Sequence, residues 1–136
     1  MREELMGPKV ENVRVVIVPE KNPEGGIQHY VYLLNLRDDI MEGIIITSKG
    51  YGTNVETGES VKTSTLRHSL EVLLPDEAAK IEPIMEEVFG LTNEYWVSFW
   101  ADDVMYDKKF IFLPETISEK NYTEIPKLGA KGVMVG

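Results

Sequence analysis

Residues 61–74, VKTSTLRHSLEVLL, are the stretch around which we interpret the rest of the chain. From Leu66 onward, apolar and polar residues alternate, which is the period-two pattern of a strand with one buried face. The set predicted to face the core is Leu66, His68, Leu70, Val72 and Leu74. Because neighbouring strand residues point to opposite faces, the pattern directs His68 toward the core and Arg67 away from it.

Three further strands are predicted before this stretch, at residues 13–18, 27–36 and 43–49. Each is rich in β-branched or aromatic residues, and all three are apolar on both faces. Their connections are short enough for antiparallel neighbours. The glycine-rich loop at residues 50–60 has neither P-loop nor dinucleotide-binding spacing, so we interpret it as a hairpin loop rather than a phosphate site.

Residues 76–89 are predicted to form the single helix of the chain. Ala78, Ile81, Ile84 and Val88 recur at spacings of three and four residues, which indicates one apolar stripe. Asp76 suits the positive amino end of a helix. Pro83 removes one helical hydrogen bond, and we therefore expect a kink at that point.

Residues 94–101 and 105–113 are predicted to form an aromatic-rich hairpin. Trp96 and Trp100 share one face of its first strand, and Tyr95 and Phe99 share the other. One of these faces should belong to the core. The other should present large aromatic side chains to an interface or a ligand.

The predicted fold class is therefore α+β, with a largely antiparallel, twisted sheet of about six strands in the order β-β-β-β-α-β-β. One helix of about 14 residues, near 21 Å long, cannot cover both faces of a sheet about 29 Å wide. The remaining face must be covered by the carboxyl-terminal segment, by curling of the sheet toward a partial barrel, or by a second copy of the chain. We expect a single domain over residues 1–136, with a leader (1–12, where Leu5 and Met6 contact the body), a body (13–113) and an extended tail (114–136) packed on it.

Composition narrows the classes of partner and cofactor. The 136 residues are 43% hydrophobic and 27% charged, include no cysteine, and carry a formal net charge of −9. The absence of cysteine removes disulfides and thiolate sites, and the negative charge argues against nucleic acid as a partner. No membrane association is predicted, because there is no run of about 18 apolar residues. With no basic, apolar leader of the signal-peptide kind, we expect a cytoplasmic protein of the small, stand-alone bacterial type.

The residue types that could carry chemistry are few. His29 and His68 could approach each other if their strands are neighbours, but the chain has no HxH or HxxxH spacing, so neither a metal site nor a cofactor is predicted. Asp102, Asp103 and Asp107 lack the spacing of a calcium loop. Ser69 lies beside His68 but points to the opposite face, and no GxSxG motif is present.

The leading functional hypothesis is a non-enzymatic interaction module that acts as a homodimer, because several strands are apolar on both faces. The alternative is a small-molecule-binding protein or enzyme with an aromatic pocket. The residues predicted for such a pocket or interface are His68, Arg67, His29, Tyr30, Tyr32, Trp96 and Trp100. A weaker hypothesis is a protein partner that recognises the acidic face of the predicted helix through Glu86 and Glu87.

Overall fold

The computed structural model describes residues 8–136, and these residues form ten strands arranged in two antiparallel sheets. The strands are β1 (Val13–Lys21), β2 (Ile27–Asn35), β3 (Met41–Thr53), β4 (Ser60–Lys62), β5 (Leu66–Leu73), β6 (Glu77–Ile84), β7 (Thr92–Ala101), β8 (Val104–Phe112), β9 (Thr123–Ile125) and β10 (Ala130–Val135). The first sheet has the order β6-β2-β1-β10-β9. In the second sheet the order is β4-β3-β7-β8, and β5 also pairs with β3.

The main core lies between the two sheets. It contains the inward-facing residues of both, such as Ile17 and Leu33 from the first sheet and Phe99 and Phe110 from the second. Val10, in the predicted leader, is also buried there. Leu5 and Met6, predicted to contact the body, lie outside the described residues.

The predicted α+β class is wrong, because residues 8–136 contain no α-helix. Residues 76–89, predicted as a helix, instead form β6 followed by a 3-10 turn at Glu86–Val88. Asp76 has a φ of 66° and is therefore in a left-handed conformation that cannot begin a right-handed helix. Further 3-10 turns lie at Glu119–Asn121 and Pro126–Leu128.

A β-bulge explains why β6 shows helix-like spacing. Val31 and Tyr32 are consecutive on β2, but their partners Glu82 and Lys80 are separated by Ile81. The extra residue shifts the alternation of β6 by one position. Consequently Ile81 and Ile84, three residues apart, both contact the core. The predicted stripe does not form one face, because Ala78 packs against Val16 and Leu34 on the outer side of the first sheet.

None of the described residues belongs to a helix long and apolar enough to cross a membrane.

The stretch at residues 61–74 is two strands rather than one, because β4 ends at Lys62 and β5 begins at Leu66. His68 and Leu70 are half-buried as the alternation predicts. The other residues predicted to face the core are exposed, namely Leu66, Val72 and Leu74, whereas Leu73 is buried. The pairing strand β3 has a left-handed Gly43, with a φ of 54°, beside a register shift against β7. Because of this irregularity, Met41 and Ile44, three residues apart, both point toward the core. Their partners on β5, Leu73 and Leu70, face the same way.

The hairpin prediction is confirmed. Strands β7 and β8 pair from Asn93 opposite Phe112 to Ala101 opposite Val104. Asp102 and Asp103 both have positive φ, as the tight two-residue turn of such a hairpin requires.

Residues 114–136 do more than extend over the body, since they supply β9 and β10, and β10 pairs with the central strand β1. The outer face of β1 is covered by this segment. Val16 and Val18 are buried there against Ile125, with Leu128 packed beside them. Both faces of β1 are thus apolar because both are covered, one by the second sheet and one by the carboxyl-terminal segment.

Gly132 should be the most sensitive position of β10. A Cβ atom at Gly132 would lie 2.3 Å from the Ile17 carbonyl oxygen, a backbone atom that cannot rotate away. We expect Gly132→Ala to destabilise the protein by about 1–3 kcal/mol, the usual range for overpacking. Urea unfolding measures the change, with the exposed neighbour Lys131→Ala as the control. Equal stability of the two variants would contradict the close β1–β10 approach.

Candidate functional site

A buried carboxylate lies between the two sheets. Glu82 is only 9% exposed and stands opposite the core residue Val31, so it faces inward. Its Oε1 atom lies 2.6 Å from Nε2 of His68 on β5. The Ser48 hydroxyl on β3 donates to the carboxylate, at 3.0 Å from Oε1 and 3.1 Å from Oε2. Buried carboxylates require such partners, because an unpaired buried charge is strongly destabilising.

Tyr95 completes the environment of this carboxylate. It is directly opposite Ser48 in the β3–β7 pair, and it is fully buried. Burial, followed by the charge of Glu82 and a hydrogen bond to it, raises the pKa of the Tyr95 phenol far above its ordinary value. Glu82 comes from the first sheet, whereas Ser48, His68 and Tyr95 come from three strands of the second. We call these four residues the Glu82 cluster.

A pocket of about 290 Å³ opens beside the Glu82 cluster. Its polar lining includes Ser48, Glu82, Asn93 and Tyr95. Its apolar wall is formed by Leu66, Pro83, Ile84, Met85 and Val88. An apolar cavity with a few convergent polar groups is the usual construction of a small-molecule site.

The order of contacts in the Glu82 cluster does not match a nucleophilic triad. In a triad, histidine accepts the proton of the serine hydroxyl, and the carboxylate orients the histidine. Here the Ser48 hydroxyl donates directly to Glu82, and Ser48 is itself buried. The geometry therefore gives no support to nucleophilic catalysis by Ser48. His68 is the member with the most solvent access, since its side chain is 33% exposed.

His29 is separate from these contacts, although it also faces inward. Its Nε2 atom lies 3.3 Å from the Tyr122 hydroxyl, and its ring meets Phe89 edge-on with centroids 5.0 Å apart. Burial lowers the pKa of His29, and the charge of Glu86 opposes that shift only in part. His29 thus has the environment of a neutral core histidine.

Arg67, Trp96 and Trp100 lie on the outer face of the second sheet. The register forms three rows across β5, β3, β7 and β8. The first row is Arg67, Thr47, Trp96 and Lys109; the second is Ser69, Ile45, Ser98 and Asp107; the third is Val72, Glu42, Trp100 and Met105. We call this surface the tryptophan face. Trp96 is 44% exposed and Trp100 48% exposed, while Tyr95 and Phe99 of the same strand are buried in the core.

Tyr30 and Tyr32 lie on the opposite side of the molecule. They project from the outer face of the first sheet, where the Lys80 ammonium sits 4.0 Å from the Tyr30 ring centroid. The Tyr32 hydroxyl donates to Glu20, which also pairs with Lys80 at 3.0 Å. The structure therefore does not bring the two tyrosines together with Trp96, Trp100 and His68 into one aromatic pocket. Of that predicted set, His68 alone joins the Glu82 cluster.

The acidic residues of the predicted helix also do not share one face. Glu86 and Glu87 lie on the 3-10 turn after β6, whereas Glu82 is buried between the sheets. Within residues 8–136, no group of three or more histidine, cysteine or acidic residues is arranged to hold a metal ion.

The sequence interpretation missed Glu82, Ser48 and Tyr95 as parts of a site. Glu82 falls inside the predicted helix of residues 76–89, because the bulge at Ile81 gives β6 a helical spacing. The local signal for its burial is that Ile81, Pro83 and Ile84 flank it. Ser48 and Tyr95 join the cluster only through pairing between strands distant in sequence.

Comparison with known proteins adds no functional assignment. No family model matches the chain, and no curated protein or solved structure is significantly similar to it.

His29 should give the protein a distinct pH dependence. Its pKa is lowered in the folded state from about 6.5, so the unfolded chain binds more protons as the pH falls below that value. The stabilisation is present above about pH 6.5 and is lost as the pH falls toward the folded pKa. Urea unfolding at pH 7.5 and 5.5 should show that the unfolding free energy falls less between these two pH values for His29→Gln than for wild type. The control variant, His68→Gln, retains His29. A His29→Gln variant whose unfolding free energy depends on pH as in wild type would contradict this account.

Proposed function

We propose that this protein is a non-enzymatic interaction module that acts as a homodimer through the tryptophan face. The observation that carries the proposal is the near-half exposure of Trp96 and Trp100 on one sheet face. Met105 and Val72 are also exposed on the same face. Large apolar side chains grouped on a flat surface are typical of interfaces, whereas scattered ones need no explanation.

The charges of the tryptophan face favour a second copy as the partner. Arg67 and Lys109 flank Trp96 in the first row, and Glu42 accompanies Trp100 in the third. A two-fold axis that lies in the interface, across the strands and over the second row, would place the first row of one copy over the third row of the other. Arg67 of one copy would then lie about one strand spacing from Glu42 of the other, and the reverse pair would form at the same time, as an isologous interface requires. Lys109 would lie two strands from Glu42, and Asp107, in the second row, would face its own counterpart.

The size of the tryptophan face suits a weak dimer. Four strands at about 4.8 Å spacing are about 19 Å wide, and the five residues from Trp96 to Trp100 extend about 17 Å. The projected area of the three rows is therefore about 320 Å² before the side chains roughen it. A standard interface buries about 800 Å² per partner. We therefore expect a reversible dimer with a dissociation constant in the micromolar range.

The arrangement of the remaining residues supports the non-enzymatic part of the proposal. Ser48 donates its hydroxyl to a carboxylate rather than to histidine, and His29 is packed among aromatic rings. The aromatic residues that were candidates for a catalytic pocket lie on opposite outer faces.

Analytical ultracentrifugation over about 5–500 µM tests the proposal. Wild type should show a rising average mass with concentration. Trp100→Ala should weaken association by about 30-fold or more, the loss expected for a central tryptophan of an interface. Glu42→Lys should also weaken it, because a lysine there would repel Arg67 of the other copy.

Met134→Ala is the matched control for Met105→Ala. Met134 is also a half-exposed methionine, but it lies on the first sheet. It should leave association unchanged, whereas Met105→Ala should weaken it. A wild-type protein that stays monomeric at 500 µM, or a Trp100→Ala variant that associates as wild type does, would overturn the proposal.

A further inference from the structure

We infer that the pocket beside Glu82 is a binding site for a small organic cation, a compound that carries an ammonium or amidinium group on a short apolar body. The pocket lies between the two sheets, so the inference is independent of the tryptophan face on the outside of the second sheet. Its basis is a buried carboxylate that lines a pocket of about 290 Å³.

The carboxylate retains acceptor capacity toward the pocket. An ionised carboxylate has about four lone-pair directions. The Ser48 hydroxyl has one proton to share between the two oxygens, and His68 approaches Oε1. His68 is not among the residues that line the pocket, so it does not obstruct it. A donor in the pocket can therefore take the remaining direction.

The electrostatic environment favours a cation over a neutral or anionic ligand. The Glu82 carboxylate is only 9% exposed, and in such a water-poor setting a charge-assisted hydrogen bond from a cation is stronger than in water. Lys49 is the only basic residue among those that line the pocket, and its ammonium lies 3.8 Å from Glu94. The net charge of −9 also concentrates cations near the surface.

The shape of the pocket limits the ligand to a small one. A volume of about 290 Å³ is at the lower end of the roughly 300–1,000 Å³ range of ligand sites. Leu66, Ile84 and Met85 offer a surface for a short hydrocarbon or an aromatic ring. A compound of the size of benzamidine or butylamine combines the two requirements.

Two matched pairs of probes test the inference without any mutation. Benzamidinium and neutral benzamide have nearly the same shape, and n-butylammonium and n-butanol form an aliphatic pair. Each is titrated into ¹⁵N-labelled protein, and amide shifts are followed by NMR. We expect the cation of at least one pair to bind at least about tenfold more tightly than its neutral partner, with shifts at Ser48, Glu82 and Met85.

Two variants separate the carboxylate from the cavity. Glu82→Gln preserves the shape but removes the charge, so it should reduce cation affinity by about tenfold or more and abolish the preference over the neutral partner. Leu66→Trp places a large ring at an exposed lining position and should block both members of a pair. Val55→Trp, at a position 97% exposed and outside the pocket lining, is its control.

Three NMR results would each overturn the inference. The first is the absence of a saturable shift with all four probes, the second is equal affinity for cation and neutral partner in both pairs, and the third is saturable shifts confined to residues outside the pocket. A folded Glu82→Gln variant that keeps the wild-type cation preference would also overturn it. If Glu82→Gln does not fold, the probe pairs on wild type and the Leu66→Trp block decide the result.

Discussion

A buried carboxylate forms a polar contact between the two sheets of this protein. Glu82 belongs to the first sheet, and its partners Ser48 and His68 belong to the second. A buried charge of this kind is unfavourable unless its donors are correctly placed, so the interaction imposes a geometric condition on both sheets. The sheets must pack at the register that brings β3, β5 and β7 to β6. Apolar packing alone would tolerate more variation than this polar contact does.

The bulge in β6 makes that connection possible. Without the extra residue at Ile81, the alternation of β6 that places Ala79 inward would direct Glu82 outward. With it, Ala79, Ile81 and Glu82 all contribute to the interior. The same molecule uses a second irregularity at Gly43, which keeps both Met41 and Ile44 in the core. Both irregularities redirect side chains at the places where the two sheets have to match.

The inner and outer faces of the second sheet carry different sets of residues. Its inner face provides the large aromatic core residues and three members of the Glu82 cluster, and its outer face is the tryptophan face. Strand alternation places Tyr95 on the inner face and its neighbour Trp96 on the outer face. The internal pocket and the proposed association surface therefore lie on opposite sides of one strand and share no side chain.

The sequence by itself determined the local patterns: the β-branched strands, the aromatic hairpin, the opposite facing of Arg67 and His68, and the two faces of β7. It did not determine the state of residues 76–89, because spacings of three and four residues arise both from an α-helix and from a strand with a bulge. Only the tertiary structure decided that β10 pairs with β1, that the carboxyl-terminal segment covers Val16 and Val18, and that Glu82 meets His68. The physical reason is that these contacts join residues far apart in the chain, and local periodicity contains no information about which distant strands become neighbours.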